Sequence, residues 1–388
     1  MAQLLRINLT DESIKIEEIP KETLRKVIGG RGLAAYILLK ELPARIDPLS
    51  EDNKLVFAVG PFNGLLPSKY VVAAKSPQTD ILGFALASGL FSWRLRMAGY
   101  YAIIVEGSSD KPKYIVVENE KVEIRDASKL WGLTTDAVEN RLKGELGKDF
   151  SIASIGSAGE NLVRYACVIS DGRRAAGRTG MGAVMGSKKL KAIAVKGNKK
   201  PDVANKELFK KVWGDFLQEF KKKGHWAIPY GTSGGIAAYS DEMGCLPTRN
   251  FTSGTFEGAE KITGEGVLAK WTIRRLGCPA CPVNCWGELE IKDGKTVKYF
   301  KGPRPEYESI AALGSLCGID DIEVIVISND LCNKFGMDTI STGVTIAFAM
   351  ECFEKGLLKT SETDGLRLNF GSAEILPCLL YTSPSPRD

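Results

Sequence analysis

Three cysteines lie close together at Cys278, Cys281 and Cys285. The spacing C-x2-C-x3-C in CPACPVNC places three thiolates on one tight turn, where they can face a single metal centre. Three thiolates from one loop, with a fourth ligand from elsewhere, are a common way to hold an iron–sulfur cluster. The alternative is a structural zinc site with His225 or Cys245 as its fourth ligand. We favour the iron–sulfur cluster, because neither a second C-x2-C nor a pair of histidines accompanies the loop.

A second group of residues that could bind a ligand is the glycine- and arginine-rich stretch DGRRAAGRTGMGAVMGSKKLKAI, residues 171–193. Its glycines permit positive φ and close approach of backbone amides to a ligand. The same stretch carries cationic side chains, among them Arg173, Arg174, Arg178, Lys188 and Lys189. Together these features predict a cradle for phosphate or a similar anion. The stretch is neither a P-loop nor a clean dinucleotide fingerprint.

Groups that could move protons follow the cysteine loop. The run GPRPEYES, residues 302–309, contains Glu306, Tyr307 and Glu308. These side chains could exchange protons beside a redox centre, and a proline-rich surface turn is an equally good interpretation. His225 is the only histidine, which excludes most histidine-based metal sites. The run GTSGG, residues 231–235, matches a nucleophile elbow only formally, because no histidine follows the serine.

The composition is that of an ordinary soluble globular protein. The 388 residues carry 52 basic and 47 acidic side chains, a net charge of +5, which is compatible with small anionic ligands and does not require nucleic acid. No apolar run is long enough to cross a bilayer, and the N-terminus turns acidic too early for a secretory signal. Nine cysteines, an odd number, argue against a disulfide framework. We therefore expect a cytoplasmic protein with no membrane or nucleic-acid partner.

The predicted secondary structure that must position these residues changes from mainly strands to mainly helices near residue 200. Short apolar runs predict strands at residues 55–60, 70–75, 101–107, 114–119 and 191–197, with helices at 24–42 and 134–146. Residues 197–206 read as a linker. Helical periodicity then predicts helices at Glu207–Lys222, Gly266–Leu276, Asp320–Phe335 and Thr345–Glu354. From Pro377 onward the pattern ends abruptly in PCLLYTSPSPRD, which indicates a tail.

Taken together, these residues resemble the aldehyde ferredoxin oxidoreductase family, the tungsten-pterin enzymes. The resemblance extends from residue 5 to about residue 376 and rests on several motifs in the same order. These motifs are IGGRGLAAYILLKEL (28–42), GPFNG (60–64), KSPQT (75–79), DASKLWG (126–132), IGSAGENLV (155–163), RAAGRTGMGAVMGSKKLKAI (174–193), CPACPVNC (278–285), GPRPEYES (302–309) and FGMDTISTG (335–343).

The resemblance implies an α+β fold in which a β-rich, saddle-like N-terminal domain precedes a mainly helical domain. We expect the pterin-phosphate-binding domain at residues 1–200 and the helical domain, with the cysteine loop and one pterin motif, at residues 201–376. Residues 377–388 are then an unrelated tail of artefactual origin. The family's third helical domain, with its fourth cluster cysteine, second pterin motif and active-site histidine, is expected to be missing. The alternative fourth cluster ligands within this chain are Cys317 and Cys332.

The resemblance also implies the cofactors and their ligands. Cys278, Cys281 and Cys285 would bind a [4Fe–4S] cluster, and Glu308 matches the family's active-site glutamate. Tungstopterin or molybdopterin, as a bis-pterin in a complete chain, would bind through its phosphates and a bridging Mg²⁺. The residues expected to hold the pterin are Lys69, Ser88, Gly89, Arg174, Ala175, Asn333, Met337 and Asp338.

Four features depart from the family pattern. Asn333 stands where the family's D-x-x-G-[LM]-D begins with an aspartate. Lys69 stands where the family has an arginine, so a point charge replaces a bidentate fork. The stretch Leu86-Ala87-Ser88-Gly89 replaces N-S-G-G and loses an asparagine that would ligate magnesium. Residues 327–330 lack the E-x-x-H of members with a metal between subunits, so we expect no such metal.

The activity implied by the resemblance is oxidation of an aldehyde to a carboxylic acid, with electrons passed through the cluster to ferredoxin. The expected substrate is a small aldehyde or a related carbonyl compound, and a homodimer is a possible assembly. Two alternatives are an aryl-thioester (benzoyl-CoA-type) reductase of the same family and a non-catalytic iron–sulfur or zinc remnant.

Overall fold

The β-rich first half begins with a sheet of mixed strand direction. The computed structural model describes residues 2–382, and within them the first sheet has six strands in the order β2-β1-β6-β3-β4-β5. Its strands are β1 (Gln3–Asn8), β2 (Ile14–Glu18), β3 (Leu55–Ala58), β4 (Tyr70–Lys75), β5 (Leu82–Ala87) and β6 (Tyr100–Glu106). β1 and β6 are parallel, and the other neighbours are antiparallel.

A second sheet of six strands follows within the described residues, in the order β11-β10-β9-β12-β7-β8. Its strands are β7 (Lys113–Glu118), β8 (Lys121–Asp126), β9 (Ser151–Ser154), β10 (Val168–Ser170), β11 (Arg174–Ala176) and β12 (Leu190–Lys196). β7 and β12 pair in parallel, and the remaining pairs are antiparallel.

The helices of this half cover the two sheets. They are α1 (Lys21–Val27), α2 (Gly30–Glu41), α3 (Leu90–Met97), α4 (Thr135–Leu146), α5 (Ser157–Glu160) and α6 (Met181–Ser187). One apolar core joins the facing sides of the sheets, α2 covers the outer face of the first sheet and α4 covers that of the second. β3 is therefore buried on both faces, which is why LVFA is apolar throughout rather than alternating.

The single helix predicted over residues 24–42 is wrong, because the structure has two helices there. α1 ends at Val27, and Ile28 and Gly29 adopt φ of 66° and 144° before α2 begins. A side chain at Gly29 would approach the backbone of Val59 and Gly60 to 3.0 Å. The close approach of these two segments requires a glycine and interrupts the helix.

The second half is mainly helical, as predicted, and has its own core. Its helices are α7 (Lys206–Lys223), α8 (Ile236–Asp241), α9 (Ala259–Ile262), α10 (Val267–Trp271), α11 (Tyr307–Leu313), α12 (Ile322–Phe335), α13 (Thr339–Glu354) and α14 (Ile375–Thr382). The α+β fold class is thus confirmed. α14 extends beyond the boundary predicted at residue 376, and residues 383–388 of the predicted tail lie outside the described residues.

The helical half also contains a small antiparallel sheet that the sequence analysis missed. β13 (Thr272–Leu276), β14 (Trp286–Lys292) and β15 (Tyr299–Pro303) pair in the order β13-β14-β15. The helix predicted at Gly266–Leu276 is therefore wrong beyond Trp271. The β-branched residues Thr272 and Ile273 continue as a strand, because β14 is available to pair with them.

The two halves are joined by backbone hydrogen bonds around one short segment. Ala166 and Met337 form an isolated antiparallel bridge, and the amide of Cys167 donates to the carbonyl of Gly336 over 2.8 Å. The Thr135 hydroxyl donates to the carbonyl of Asn333 over 2.8 Å. The turn between α12 and α13 is thereby fixed against the β-rich half. The division into domains at residue 200 stays a prediction.

Candidate functional site

A cavity of about 760 Å³ lies where the two halves meet, and it collects most of the residues predicted to bind cofactors. From the β-rich half it is lined by Lys69, Ser88, Arg174 and Ala175, and from the helical half by Cys278, Cys281, Cys285, Asn333, Met337 and Asp338. Its size falls in the range of small-molecule and cofactor sites. Gly89 and Glu308 are the two predicted site residues that do not line it.

The cysteine loop is the tip of the hairpin formed by β13 and β14. Leu276 pairs with Trp286, so residues 277–285 form the connection between the two strands. The amide of Cys281 donates to the carbonyl of Cys278 over 3.0 Å, which closes a turn around the first two cysteines. Ala280 and Asn284 adopt positive φ of 59° and 49°. All three cysteines are partly exposed and face the cavity.

The basic cradle meets the cysteine loop through an aromatic ring. Trp286 directly follows Cys285, and the guanidinium groups of Arg173 and Arg174 lie 5.0 and 4.5 Å from the centroid of its ring. Both arginines line the same cavity as the three thiols. Their contact with Trp286 brings the predicted anion site and the predicted metal site together, which was not foreseen from the sequence.

Two lysines predicted to belong to the cradle lie elsewhere. Lys188 is fully buried, and its ammonium donates to the carbonyls of Gly107 (2.8 Å) and Glu51 (3.2 Å). Lys189 lies over the ring of Trp131, 5.2 Å from the centroid. The chain turns away from the cavity after α6, so the cationic donors of the cradle are the arginines at its start.

Gly89 is placed at the N-terminus of α3, whose free amides are already satisfied. The Asp171 carboxylate accepts hydrogen bonds from the amides of Leu90 (2.7 Å) and Phe91 (3.2 Å). A side chain at Gly89 would approach Asp171 Oδ2 to 2.6 Å and Arg174 Cγ to 3.2 Å. Gly89 therefore leaves room for the Arg174 side chain to pack. Gly89 itself does not line the cavity, whereas the neighbouring Ser88 does.

Asp338 combines a position in the cavity with a role in helix capping. Its carboxylate accepts hydrogen bonds from the amides of Ile340 (3.3 Å) and Ser341 (3.0 Å) at the start of α13. The Arg178 guanidinium lies 3.6 Å from Asp338 Oδ2. The predicted pterin contact would therefore have to share an oxygen with these partners, whereas the neighbouring Met337 reaches the cavity directly.

The two glutamates of GPRPEYES occupy different environments. Glu306 lines the main cavity and accepts a hydrogen bond from the Thr232 hydroxyl. Burial raises the pKa of the Glu306 carboxyl, against the lowering effect of Thr232 and the nearby cations Arg304, Arg174 and Lys69. Glu308, the predicted catalytic residue, is exposed in an adjoining cavity of about 280 Å³ that Thr232 and Glu306 also line.

Neither of the alternative cluster ligands lies at the cavity. Cys317 and Cys332 are fully buried in the helical core, and burial raises the pKa of the Cys332 thiol above its usual range. The Cys317 thiol contacts the carbonyl of Ala312 at 3.4 Å. His225 lines the cavity, with its ring stacked on Trp226 at a centroid distance of 5.6 Å. Cys245 does not line it.

The three thiols of the loop are the metal-ligating side chains that the cavity offers together. Among residues 2–382, no group of three or more His, Cys, Asp or Glu side chains is placed to hold one metal ion. A tetrahedral zinc site needs sulfur atoms roughly 3.8 Å apart, given its Zn–S bonds of about 2.3 Å. A cluster takes each thiolate on a different iron and so accepts wider spacing. Three free, partly exposed thiols on one loop are a donor set that suits an iron–sulfur cluster.

The opposite wall fits an anionic group. In the part of the chain that the structure describes, the buried atoms Ser68 Oγ and Arg173 Nη1 have no hydrogen-bond partner, and both residues line the cavity. Buried donors of this kind are costly unless a ligand satisfies them. Together with Arg174 and Lys69, they suit the phosphates of a pterin cofactor. The sequence had marked Arg174, but nothing in it indicated Ser68.

Comparison with known protein families matches nearly the whole chain. The sequence model described as aldehyde ferredoxin oxidoreductase, N-terminal domain, matches residues 4–197, and the model described as aldehyde ferredoxin oxidoreductase, domains 2 and 3, matches residues 211–382. The second match extends past the boundary at residue 376 and includes the whole of α14.

Individual relatives agree with this result. The tungsten-containing aldehyde ferredoxin oxidoreductase of Thermococcus kodakarensis is 44% identical over 382 residues, covering 96% of this chain and 62% of that protein. The protein of the same name from Pyrococcus furiosus is 42% identical over 382 residues, with the same coverage. The WOR-like subunit of the aliphatic sulfonate oxidoreductase of Pyrococcus furiosus is 34% identical over 402 residues, covering 98% of this chain and 63% of that one.

A solved structure has the same fold. The active-site complex BamBC of benzoyl coenzyme A reductase, in complex with 1,5-dienoyl-CoA, superposes with a TM-score of 0.84 at 29% identity. The match covers 98% of this chain and 59% of that one. This chain thus spans about three-fifths of the length of the relatives that it matches.

Proposed function

Because the chain belongs to the aldehyde ferredoxin oxidoreductase family, we propose that it forms the cofactor-holding part of an aldehyde oxidoreductase. The observation that carries the proposal is the cavity where three thiols face a basic wall whose buried atoms Ser68 Oγ and Arg173 Nη1 make no hydrogen bond within the described residues. The proposed reaction converts an aldehyde and water into a carboxylic acid, two protons and two electrons. A cluster held by the cysteine loop would supply a route for these electrons to ferredoxin.

The proposed ligands follow from the residues on each wall. Cys278, Cys281 and Cys285 would hold a [4Fe–4S] cluster, with its remaining iron ligated from outside this set. Arg174, the amide of Ala175, Lys69 and Ser88 would bind the phosphates of a tungsten- or molybdenum-bearing pterin and the Mg²⁺ that bridges them. Asn333, Met337 and Asp338 would contact the pterin from the turn between α12 and α13.

The pterin-bound metal supplies the two-electron oxidation when it is present, and the protein handles substrate and protons. Glu306 and Glu308 are the carboxylates available to accept the protons released. Burial raises the pKa of the Glu306 carboxyl, so its carboxylate accepts a proton more readily than an exposed glutamate does. Glu308, in the adjoining cavity, is open to solvent and can pass a proton out of the site.

A second activity is favoured by the structural neighbour. The benzoyl coenzyme A reductase complex shares the fold at a TM-score of 0.84, so reduction of an aryl thioester is the runner-up. Assaying benzaldehyde-type and aryl-thioester substrates with a viologen dye separates the two. Dye reduction by the aldehyde supports the first proposal, and oxidation of reduced dye by the thioester supports the second.

The central test replaces one thiolate. After anaerobic reconstitution with iron and sulfide, we expect the chain to show broad visible absorption and bound iron, and Cys281→Ser to lose both because a cluster needs its thiolates. Cys352→Ser, outside the cavity, is the matched control and should retain both signals. Bound zinc in place of iron, or equal iron in all three proteins, would contradict the cluster and support a non-catalytic remnant.

Assembly and cellular location are part of the proposal. We propose a cytoplasmic enzyme that can form a homodimer. No helix among residues 2–382 combines the length and apolarity needed to span a bilayer.

A further inference from the structure

Two arginines donate hydrogen bonds to three consecutive backbone carbonyl groups at the end of the cysteine loop. The Arg304 guanidinium donates through Nη2 to the carbonyl of Cys285 over 2.5 Å. Nη2 of Arg275 donates to the carbonyls of Asn284 (2.9 Å) and Val283 (3.2 Å). The loop is therefore fixed through its backbone on both sides of Asn284, which adopts a positive φ of 49°.

The three-stranded sheet places these arginines. Arg275 lies on β13 opposite Gly287, and the amide of Arg304, just after β15, donates to the carbonyl of the same Gly287 over 2.9 Å. The two guanidinium groups thus approach the loop from the two strands that flank β14. A hairpin loop rich in proline would otherwise have few backbone bonds of its own.

Arg304 is the more deeply placed of the two. It is 5% exposed, whereas Arg275 is exposed at the surface. Room for its guanidinium is made by Gly231, where φ is +69° and an added Cβ would lie 2.0 Å from Arg304 Nη2 and 2.3 Å from the carbonyl oxygen of Cys285. A buried cation so closely fitted to one carbonyl has a specific role rather than that of a solvated surface charge.

The charge of Arg304 is only partly compensated. The Glu306 carboxylate opposes this charge, and Arg275, which contacts the same loop, adds a second positive charge. A guanidinium remains protonated even where burial lowers its pKa. A net positive charge therefore lies against the loop that carries the thiolates.

We propose that Arg304 is a positioning residue for the iron–sulfur centre: it fixes the backbone of Cys285 and holds a buried positive charge that raises the reduction potential of the cluster. Hydrogen bonds and net charge near a cluster set its potential, and partners of the ligands commonly change metal affinity 10- to 100-fold. The effect on the reduction potential rests on the proposed function. The positioning of the Cys285 backbone concerns the protein without iron and does not depend on it.

The positioning is tested first in the iron-free full chain. We expect Arg304→Gln to increase amide hydrogen exchange in residues 278–286 and to speed alkylation of Cys285, with Arg304→Lys intermediate. The control is Arg249→Gln, which removes a partly exposed arginine that pairs with Glu257 and does not line the cavity. Unchanged exchange and alkylation in Arg304→Gln would overturn the positioning role whether or not the chain binds iron.

The second measurement uses the reconstituted protein. We expect Arg304→Gln to retain about 10-fold less iron under a fixed chelator challenge and its residual cluster to have a more negative reduction potential by electron paramagnetic resonance titration. Arg304→Lys, which keeps the charge, should restore the potential but not the full iron affinity. Wild-type iron retention and potential in Arg304→Gln would overturn the inference, whereas a wild-type chain without iron would overturn the proposed function instead.

A second pair of variants tests the same inference should Arg304→Gln fail to fold. Gly231→Ala should displace the Arg304 side chain and reproduce the effects expected of Arg304→Gln. Gly244→Ala introduces the same strain at φ +60° with no atom within 4 Å of the new Cβ, and should behave as wild type. Equal effects of the two alanines would show that backbone strain, not displacement of Arg304, causes the change and would overturn the assignment.

Discussion

Glu306 and Glu308 are two residues apart in the chain but differ in the charge that surrounds them. Glu306 lies with Arg304, Arg174 and Lys69, whereas Glu308 is exposed in the adjoining cavity. The sequence could not separate them, because both precede or begin α11 and both are acidic. Their environments differ because the Thr232 hydroxyl donates a hydrogen bond to Glu306, and Thr232 lies on a loop that is distant in sequence.

This difference predicts the effect of removing each charge on anion binding. Glu306→Gln should tighten binding of inorganic pyrophosphate to the iron-free chain about 5-fold, or about 1 kcal/mol, because a negative charge is removed from among three cations. Glu308→Gln, measured by the same titration calorimetry, should leave the affinity within error. Equal effects of the two variants would contradict the assignment of Glu306 to the cradle side of the cavity.

Lys188 predicts a dependence of stability on pH. Burial lowers its pKa from 10.5 to about 8, and nearby carboxylates only partly oppose this. Between these values the folded protein binds fewer protons at this group than the unfolded chain, so its contribution to the free energy of unfolding rises with pH by roughly 3 kcal/mol in all. Below about pH 8 both states are protonated and the full penalty is present.

Lys188→Met is the variant that tests this sign. The difference in unfolding free energy between wild type and variant, measured in urea at about pH 7 and about pH 10, should shift in favour of wild type at the higher pH. A comparison of differences cancels the other lysines and tyrosines that titrate in the same range. A constant difference would show that Lys188 is not desolvated as the structure indicates.

At the scale of elements, the long periodic segments were the predictable ones. The strands at residues 55–60, 70–75 and 191–197 and the helix at 134–146 are present within one or two residues of their predicted bounds. The prediction failed where a contact distant in sequence decided the structure. Val59 and Gly60 interrupt the first long helix, and β14 turns the predicted end of α10 into a strand.

The same distinction applies to the site. The cysteines, Arg174 and the turn at Met337 were identified because they belong to motifs with recognisable residue types. Trp286, Arg304 and Thr232 were missed as site residues, because ordinary residue types acquire a role only through the three-stranded sheet and the loop before α8.

The caps of α12 and α13 allow a structural role to be separated from a cofactor role. Asp321 caps α12 through the amides of Glu323 and Val324, as Asp338 caps α13. Each change to alanine should lower the free energy of unfolding by about 1 kcal/mol. Only Asp338→Ala should also lower the pterin content of the purified protein, measured by fluorescence after oxidation. Equal pterin loss in both variants would leave Asp338 with its capping role alone.

For the molecule as a whole, the junction between the two halves depends on glycines with no room for a side chain. A Cβ at Gly156 would lie 2.3 Å from the carbonyl group of Phe335, at the end of α12. Backbone atoms cannot withdraw from such a contact without separating the halves.

Gly156→Ala should therefore destabilise the protein by about 2 kcal/mol or more in thermal unfolding, and it should also reduce cofactor retention. The matched control is Gly144→Ala, on the exposed side of α4 with no atom within 4 Å, which should stabilise by about 0.5–1 kcal/mol. A neutral Gly156→Ala would mean that the halves do not pack as the structure shows.

The bridge between Ala166 and Met337 has a consequence for the order in which the protein is made. Contacts between distant parts of a chain form late in folding, after local elements and single domains. During synthesis the arginine cradle therefore leaves the ribosome well before the cysteine loop and the turn at Met337 that complete the cavity. The cavity exists only once the second half has docked, so a cofactor held by both walls could be enclosed only after residues 278–338 have been synthesised and have folded against the first half.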